Sequence, residues 1–153
     1  MNNAHTRTPL DSFQSMLQGR VADWLKTPEA EEFPCAALYR YLPDFFSLLA
    51  HLALDHRVPD GERKATFSAL KYIVAPFDLI PEGVFGTSGF RDDLVLAALV
   101  VDRLGRFVDR SVLLDNWPQP GDPTEVARFI LDSGDQLVDA EICEQLKEWL
   151  PAD

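Results

Sequence analysis

The chain has 153 residues, of which 46% are hydrophobic and 25% are charged, a composition typical of a folded globular domain rather than of a disordered segment. Its formal net charge is −11, and no basic cluster in the sequence offsets it, so nucleic acid and anionic membrane surfaces are disfavoured partners. A chain of this length fits one domain, which can fold without disulfides or metal ions.

The sequence contains no segment typical of secretion or membrane insertion. Residues 1–18 lack the apolar run of a signal peptide, and the longest apolar run, residues 94–101, is too short to cross a bilayer. The two cysteines, Cys35 and Cys143, lie far apart and outside any zinc-binding spacing. The spacing leaves a disulfide between them open, but free thiols in a reducing compartment are favoured. These features predict a cytoplasmic protein.

Apolar periodicity predicts an all-α single domain, a helical bundle of about six helices over residues 1–153. Apolar side chains recur at helical spacing over residues 10–26, which predicts the first helix. A second helix over residues 36–56 contains Pro43, which requires either a kink or a new helix start at that point. This second helix is apolar on most sides, so we expect it in the middle of the bundle.

The next two helices form a predicted central antiparallel hairpin. The third covers residues 61–75 and is expected to end at Pro76, because the residue before a proline avoids helical angles. The fourth covers residues 90–112. The connector between them, residues 76–89, is apolar although it contains two prolines and three glycines. An apolar connector must pack onto the domain, and long structured loops are often functional.

Two helices are predicted after this hairpin, over residues 123–132 and 139–150. Asp122 has the character of an N-cap, since Pro123 follows at the first helical position and Glu125 stands three residues after the cap. No segment alternates as a β-strand does. The predicted fold is therefore helical throughout.

Four carboxylates near the ends of the connector form the best candidate site: Asp78, Glu82, Asp92 and Asp93. Converging carboxylates are the usual ligands of a hard divalent cation such as Mg²⁺, Mn²⁺ or Ca²⁺. The competing interpretation is that these residues cap helix ends, with Asp92 and Asp93 in the first turn of the fourth helix. Adjacent helical residues diverge by about 100°, which makes it difficult for both to face one ion. Capping is the preferred interpretation, and the metal site remains the alternative.

Other candidate sites are weaker. His51 and Asp55 stand four residues apart on the predicted second helix, but no third metal ligand is evident, so a helix surface is favoured. Ser88 and Gly89 precede a helix and could bind an anion, although the aspartates nearby oppose this. The sequence has no nucleophile elbow, phosphate-binding loop or zinc-protease motif. Trp117, set among prolines, is a candidate for an exposed binding surface.

Two motifs in this region identify a family resemblance. Residues 72–82 read YIVAPFDLIPE, and residues 89–93 read GFRDD. They resemble the two-part signature of the YkvA-like family, also called DUF1232, and the resemblance extends over about residues 42–110. The motif positions here are Asp78, Pro81, Glu82, Gly89, Asp92 and Asp93.

The resemblance implies a small helical domain, in some members associated with membranes, and it implies no agreed activity. Glu82 replaces the more common aspartate, which keeps the charge on a longer side chain. Residues 84–88 lack the family's more apolar stretch, which weakens the implied membrane contact. The helices on either side of residues 42–110 lie outside the resemblance.

The sequence therefore favours a non-enzymatic binding or adaptor module without a cofactor, which would bind a protein partner through an exposed apolar patch. The second interpretation is a divalent-metal-binding protein or metal-dependent hydrolase that uses the four carboxylates. The third is a peripheral membrane protein. The candidate interaction surface comprises Phe77, Ile80, Val84, Phe85 and Trp117.

Overall fold

The computed structural model describes residues 9–32, 36–79, 88–133 and 140–148, and every element within them is helical. In chain order these elements are α1 (Pro9–Leu25), α2 (Pro28–Glu31), a 3-10 helix (Ala36–Arg40), α3 (Tyr41–Leu52), α4 (Asp60–Leu79), α5 (Ser88–Phe107), α6 (Arg110–Asp115), α7 (Pro123–Asp132) and α8 (Ala140–Lys147). Six of them have eight residues or more, and each corresponds to one of the six predicted helices. The prediction of an all-α single domain is confirmed.

Helix α5 forms the centre of the bundle. It contacts α3, α4, α7 and α8, and its residues from Asp93 to Val101 are buried except for Leu99, which is half-buried. The fully buried apolar residues of α5 include Leu94, Val95, Leu96, Ala97, Ala98, Val100 and Val101. Helix α3 is also buried on most sides, as its sequence predicts. Burial of each large apolar side chain stabilises the fold by roughly 1.5–3 kcal/mol, so these two helices supply much of the core.

Helices α4 and α5 form the predicted antiparallel hairpin. Glu62, near the start of α4, pairs with Arg103, near the end of α5, with 2.6 Å between Glu62 Oε1 and Arg103 Nε. The chain crosses from α4 to α5 through residues 80–87, which lie outside the described residues. The predicted packing of the connector therefore remains a prediction.

The predicted end of the third helix at Pro76 is wrong, because α4 continues through Pro76 to Leu79. A proline inside a helix removes one backbone hydrogen bond and strains the preceding turn, at a cost of about 3 kcal/mol. Helix α4 packs against both α3 and α5, and its packed face includes the buried residues Ala69, Leu70 and Ile73. This packing outweighs the local cost of the proline, since tertiary contacts rather than local propensity stabilise most helices in proteins.

The predicted bounds of the fourth helix are also wrong. Helix α5 begins at Ser88, so Asp92 and Asp93 lie in its second turn and not in its first. It ends at Phe107, and α6 starts after Asp109, whose backbone is extended (φ −57°, ψ 137°). This break between α5 and α6 allows Val112 and Leu113 to be buried. Neither proline nor glycine marks the break in the sequence.

Two local predictions agree with the structure. Pro43 is the third residue of α3, so the helix restarts there rather than kinking. Helix α7 begins at Pro123, and Asp122 caps it by accepting a hydrogen bond from the Thr124 backbone N–H at 2.8 Å. None of the described helices combines the length and the apolar character needed to span a membrane.

Candidate functional site

A cleft of about 400 Å³ opens between α1, the start of α3 and the segment that follows α6. Helix α1 contributes Gln18, Val21, Ala22 and Leu25 to one wall. A volume of this order is typical of sites for small ligands. The cleft is therefore the leading candidate site among the residues that the structure describes.

Two aromatic contacts hold α1 against the opposite wall of the cleft. The rings of Phe13 and Phe46 lie 4.7 Å apart, and Trp24 stacks on Tyr39 of the 3-10 helix at 4.9 Å. Aromatic pairs of this kind add about 0.5–1.5 kcal/mol to the effect of burial alone. Helix α1 therefore packs on the core, and this packing creates the cleft along Val21 and its neighbours.

Trp117 fixes the third side of the cleft. Its ring lies 5.5 Å from that of Phe45, and only 7% of the residue is exposed. The prediction that Trp117 forms an exposed binding surface is therefore wrong, because Trp117 is needed to fill the core beside α3. Its burial nevertheless places Gln119, two residues later, at the edge of the cleft. The turn that follows includes Gly121, whose φ of 92° favours glycine.

The second wall of the cleft carries charged and polar groups. Arg40 ends the 3-10 helix, and Tyr41 and Asp44 lie in the first turn of α3. Arg40 and Asp44 stand four residues apart, a spacing at which opposite charges on a helix commonly pair. Here Asp44 Oδ2 instead accepts a hydrogen bond from Gln119 Nε2 at 3.0 Å. Among the described residues, no carboxylate forms an ion pair with Arg40.

The environment of Asp44 differs from that of a surface aspartate. Burial in the cleft wall raises the pKa of the Asp44 carboxyl above its usual value, and the hydrogen bond from Gln119 opposes this shift without cancelling it. Ionisation of Asp44 therefore costs the folded state free energy.

These lining residues offer several groups that can bind a polar ligand. A guanidinium, a carboxylate, a phenol and two carboxamides offer donors and acceptors for a polar ligand. The lining residues that the structure describes include no serine, cysteine, lysine or histidine.

The predicted carboxylate site is only partly described. Asp93 lies in α5 and is 1% exposed, which places it inside the core. Asp78 is in the last turn of α4 and Asp92 is in α5, but their side chains are outside the described structure, as is Glu82. Among the described residues, no three His, Cys, Asp or Glu side chains form a group that could hold a metal ion. Metal binding by the four carboxylates therefore stays a prediction.

The remaining predicted motif and surface residues are also only partly described. Pro81, Ile80, Val84 and Phe85 lie within residues 80–87, outside the described structure. Gly89 is in the first turn of α5, and Phe77 is in the last turn of α4, where only its backbone is described. The described large apolar side chains that are exposed are Leu54, in the turn after α3, and Phe67, Phe107, Leu114 and Phe129, on four different helices. Their exposure alone does not test the predicted adaptor patch, which stays a prediction.

His51 and Asp55 do not form a metal site in the described structure. His51 is exposed, and its Nδ1 lies 2.7 Å from the Ser47 carbonyl oxygen within α3. Asp55 lies beyond the end of α3 and accepts hydrogen bonds from Arg57 and Asn116. The helix-surface interpretation holds for His51 but is wrong for Asp55, which lies outside α3 and is half-buried.

Sequence reasoning missed the buried ion pair that joins α4 to α5. Glu62 accepts hydrogen bonds from Nε and Nη2 of Arg103, at 2.6 and 3.3 Å. The Arg103 guanidinium also lies over the Phe107 ring, 5.1 Å from its centroid. The two partners are 41 residues apart, and no local pattern in the sequence connects them.

Comparison with known proteins finds a family match for part of the hairpin. Residues 63–99 match the DUF1232 family, which is described as a protein of unknown function. The predicted resemblance to DUF1232 is confirmed for these residues, whereas its wider extent over about residues 42–110 stays a prediction. The matched segment contains Asp78, Glu82, Asp92 and Asp93, but none of the residues that line the cleft.

The chain is also similar to an uncharacterized protein, ORF9, of Methanothermobacter thermautotrophicus. The two are 35% identical over 69 residues, which is 42% of this chain and 47% of the relative. The chain thus spans about half the length of that relative. No solved structure gives a significant match.

Proposed function

We propose that this protein is a non-enzymatic binding module whose ligand occupies the cleft between α1 and α3. One observation carries the proposal: Arg40 and Asp44 line the same cleft and are not paired with each other. On a helix surface without a ligand, opposite charges at this spacing commonly form an ion pair. A ligand that contacts both would give each group an oppositely charged partner, which neither has among the described residues.

The acidic character of the chain supports a specific role for Arg40. The net charge of −11 repels anions over most of the surface. A guanidinium in the cleft provides a local exception, because it can hold a carboxylate or phosphate through two parallel hydrogen bonds. Arg40 would then select which end of a polar ligand enters the cleft beside it.

The position of the cleft outside residues 63–99 also bears on the proposal. The DUF1232 segment provides most of α4 and the first part of α5, which form the interior of the bundle. The cleft is built by the elements that flank this segment. We therefore infer that ligand recognition belongs to the flanking helices of this chain, while the matched segment supplies the scaffold.

An NMR titration tests the proposal. The ¹⁵N-labelled chain is titrated with a library of small polar fragments, and the backbone amide shifts are followed. We expect hits that perturb Gln18, Ala22, Tyr41 and Gln119 together, because these residues line the cleft. The same hits should fail to bind a variant that carries both Arg40→Ala and Asp44→Ala. A library with no cleft hits, or with hits that bind this double variant equally well, would contradict the proposal.

A further inference from the structure

We propose that the ligand of this cleft is a small zwitterion with an apolar side chain, the chemistry shared by a free amino acid and a short peptide. This inference rests on the proposed function and specifies the class of its ligand. It follows from three features of the cleft wall: a cationic group, an anionic group and an apolar floor.

The cationic group recognises the carboxylate of the ligand. Arg40 is exposed at the end of the 3-10 helix, and its guanidinium has no ion-pair partner among the described residues. A planar guanidinium matches the two oxygens of a carboxylate. Tyr41, the next residue, lines the same wall and adds a hydroxyl donor near this end of the cleft.

The anionic group recognises the ammonium. Asp44 lies one helical turn from Arg40 and lines the same cleft, so one small molecule can reach both residues. Gln119 occupies one oxygen of the Asp44 carboxylate through its hydrogen bond at 3.0 Å. The other oxygen retains its acceptor sites for the N–H groups of an ammonium. The bond from Gln119 also holds the carboxylate in a fixed orientation, so a ligand would find it already positioned.

The apolar floor recognises the side chain. Val21 and Leu25 of the α1 wall and Pro43 of α3 form this apolar floor; Val21 and Pro43 are buried, and Leu25 is half-buried. Contact with this floor would remove apolar ligand surface from water, which stabilises binding by about 25 cal/mol per Å². A leucine-like side chain suits a floor of this composition better than a charged one does.

Isothermal titration calorimetry with four matched compounds tests the inference. L-leucine and L-leucyl-L-leucine keep both charges, N-acetyl-L-leucine lacks the ammonium, and L-leucinamide lacks the carboxylate. We expect at least one of the two zwitterions to bind the full chain, and each blocked leucine to bind about tenfold more weakly than leucine, since one hydrogen-bonded charge is lost. Tighter binding of leucine would indicate a free amino acid, and tighter binding of the dipeptide would indicate a short peptide.

Two single variants give a crossed control. Arg40→Gln should remove the advantage of leucine over leucinamide and keep its advantage over the acetylated compound. Asp44→Asn should do the reverse. Arg128→Gln and Asp132→Asn, at exposed positions on α7, should bind like the unmodified chain. Because Arg40 is exposed, its variant is expected to fold, and a thermal unfolding scan checks this.

The possible results separate the inference from the proposed function. The zwitterion is overturned as the ligand class if neither leucine nor the dipeptide binds, or if leucine binds and its blocked derivatives bind equally well. If polar fragments still bind the cleft in the NMR titration, the binding module stands with a ligand of another class. If neither series binds, both proposals fail.

Discussion

At the scale of single residues, Asp44 links stability to the proposed function. Its folded-state pKa is raised, chiefly by burial, so its ionisation disfavours the folded state. Because the pKa is raised, the folded state binds the Asp44 proton more tightly than the unfolded state does. The contribution of Asp44 to stability therefore falls as the pH rises above about 4, where the unfolded carboxyl ionises.

Asp44→Asn should remove this cost and keep an acceptor for Gln119. We expect the variant to have a larger free energy of unfolding than the unmodified chain at pH 7, and nearly the same value at pH 3. Urea unfolding at the two pH values measures the difference. A variant that is less stable at pH 7 would show that the Asp44 charge stabilises the fold, contrary to the environment described above.

Gly105 is a second informative residue, because it allows α7 to approach α5. A Cβ placed on Gly105 would lie 2.7 Å from Thr124 Cγ2. Thr124 cannot easily rotate away, since both its hydroxyl and its backbone N–H donate to Asp122. We expect Gly105→Ala to lower the free energy of unfolding by about 1–3 kcal/mol, as overpacking does.

Gly19→Ala is the matched control for this variant. Gly19 is exposed in α1, and its added Cβ would have no neighbour within 4 Å. Alanine should therefore stabilise α1 by about 0.5–1 kcal/mol through its better helix propensity. Urea unfolding of both variants tests the close approach of α5 and α7. If Gly105→Ala stabilises the fold, the two helices do not lie as close as described.

The candidate site was only partly predictable at this scale. Arg40 and Asp44 stand at a recognisable helical spacing in the sequence, but nothing marks the spacing as part of a cleft. Gln119 completes the site from 75 residues away, and only tertiary packing brings it to Asp44. Trp117 was noticed for its place among prolines, but whether such a ring is exposed or buried depends on Phe45, a distant residue.

At the scale of elements, the buried Glu62–Arg103 pair fastens the start of α4 to the end of α5. Arg103→Met would leave the Glu62 carboxylate buried without its main partner, and we expect it to destabilise the fold by about 3–5 kcal/mol. The double variant Glu62→Leu with Arg103→Met removes both charges. We expect it to be more stable than Arg103→Met alone.

A double-mutant cycle by urea unfolding measures this coupling. The exposed pair Glu144–Lys147 on α8 is the control, where we expect a coupling of at most about 0.5 kcal/mol. Purely additive effects of the Glu62 and Arg103 substitutions would mean that the pair does not join the two helices energetically.

The metal prediction also belongs to the α4–α5 hairpin. If Asp78, Glu82, Asp92 and Asp93 hold a divalent cation, Mg²⁺, Mn²⁺ or Ca²⁺ should raise the melting temperature. The added stability should reach about 2.7 kcal/mol at a hundredfold excess over the dissociation constant. Asp78→Asn should abolish the rise, whereas Asp132→Asn on α7 should not. An unchanged melting temperature with all three ions would leave these carboxylates with a structural role.

Most elements of this fold follow from the sequence, and the exceptions have physical causes. Periodicity predicts the helices because each buries one apolar face, and the cap at Asp122 sets the start of α7. The extension of α4 through Pro76 was missed because tertiary packing outweighed a local rule. The break between α5 and α6 was missed because it serves the burial of Val112 and Leu113, which no local signal announces.

At the scale of the whole molecule, the segment that matches DUF1232 and the proposed site are separate parts of one bundle. Residues 63–99 provide much of the central hairpin, whereas α1, the 3-10 helix, the start of α3 and the segment around Gln119 build the cleft. This division predicts that chains with a similar hairpin and different flanking helices recognise different ligands or none. The overall charge of −11 then favours cationic or zwitterionic ligands over anions.

The most direct test of this division is a crystal structure of the chain with the compound that binds most tightly in the fragment or leucine series. We predict ligand density in the cleft, in contact with the Arg40 guanidinium and the Asp44 carboxylate. Density for the ligand at another surface, with only water between Arg40 and Asp44, would contradict the assignment of the cleft as the binding site.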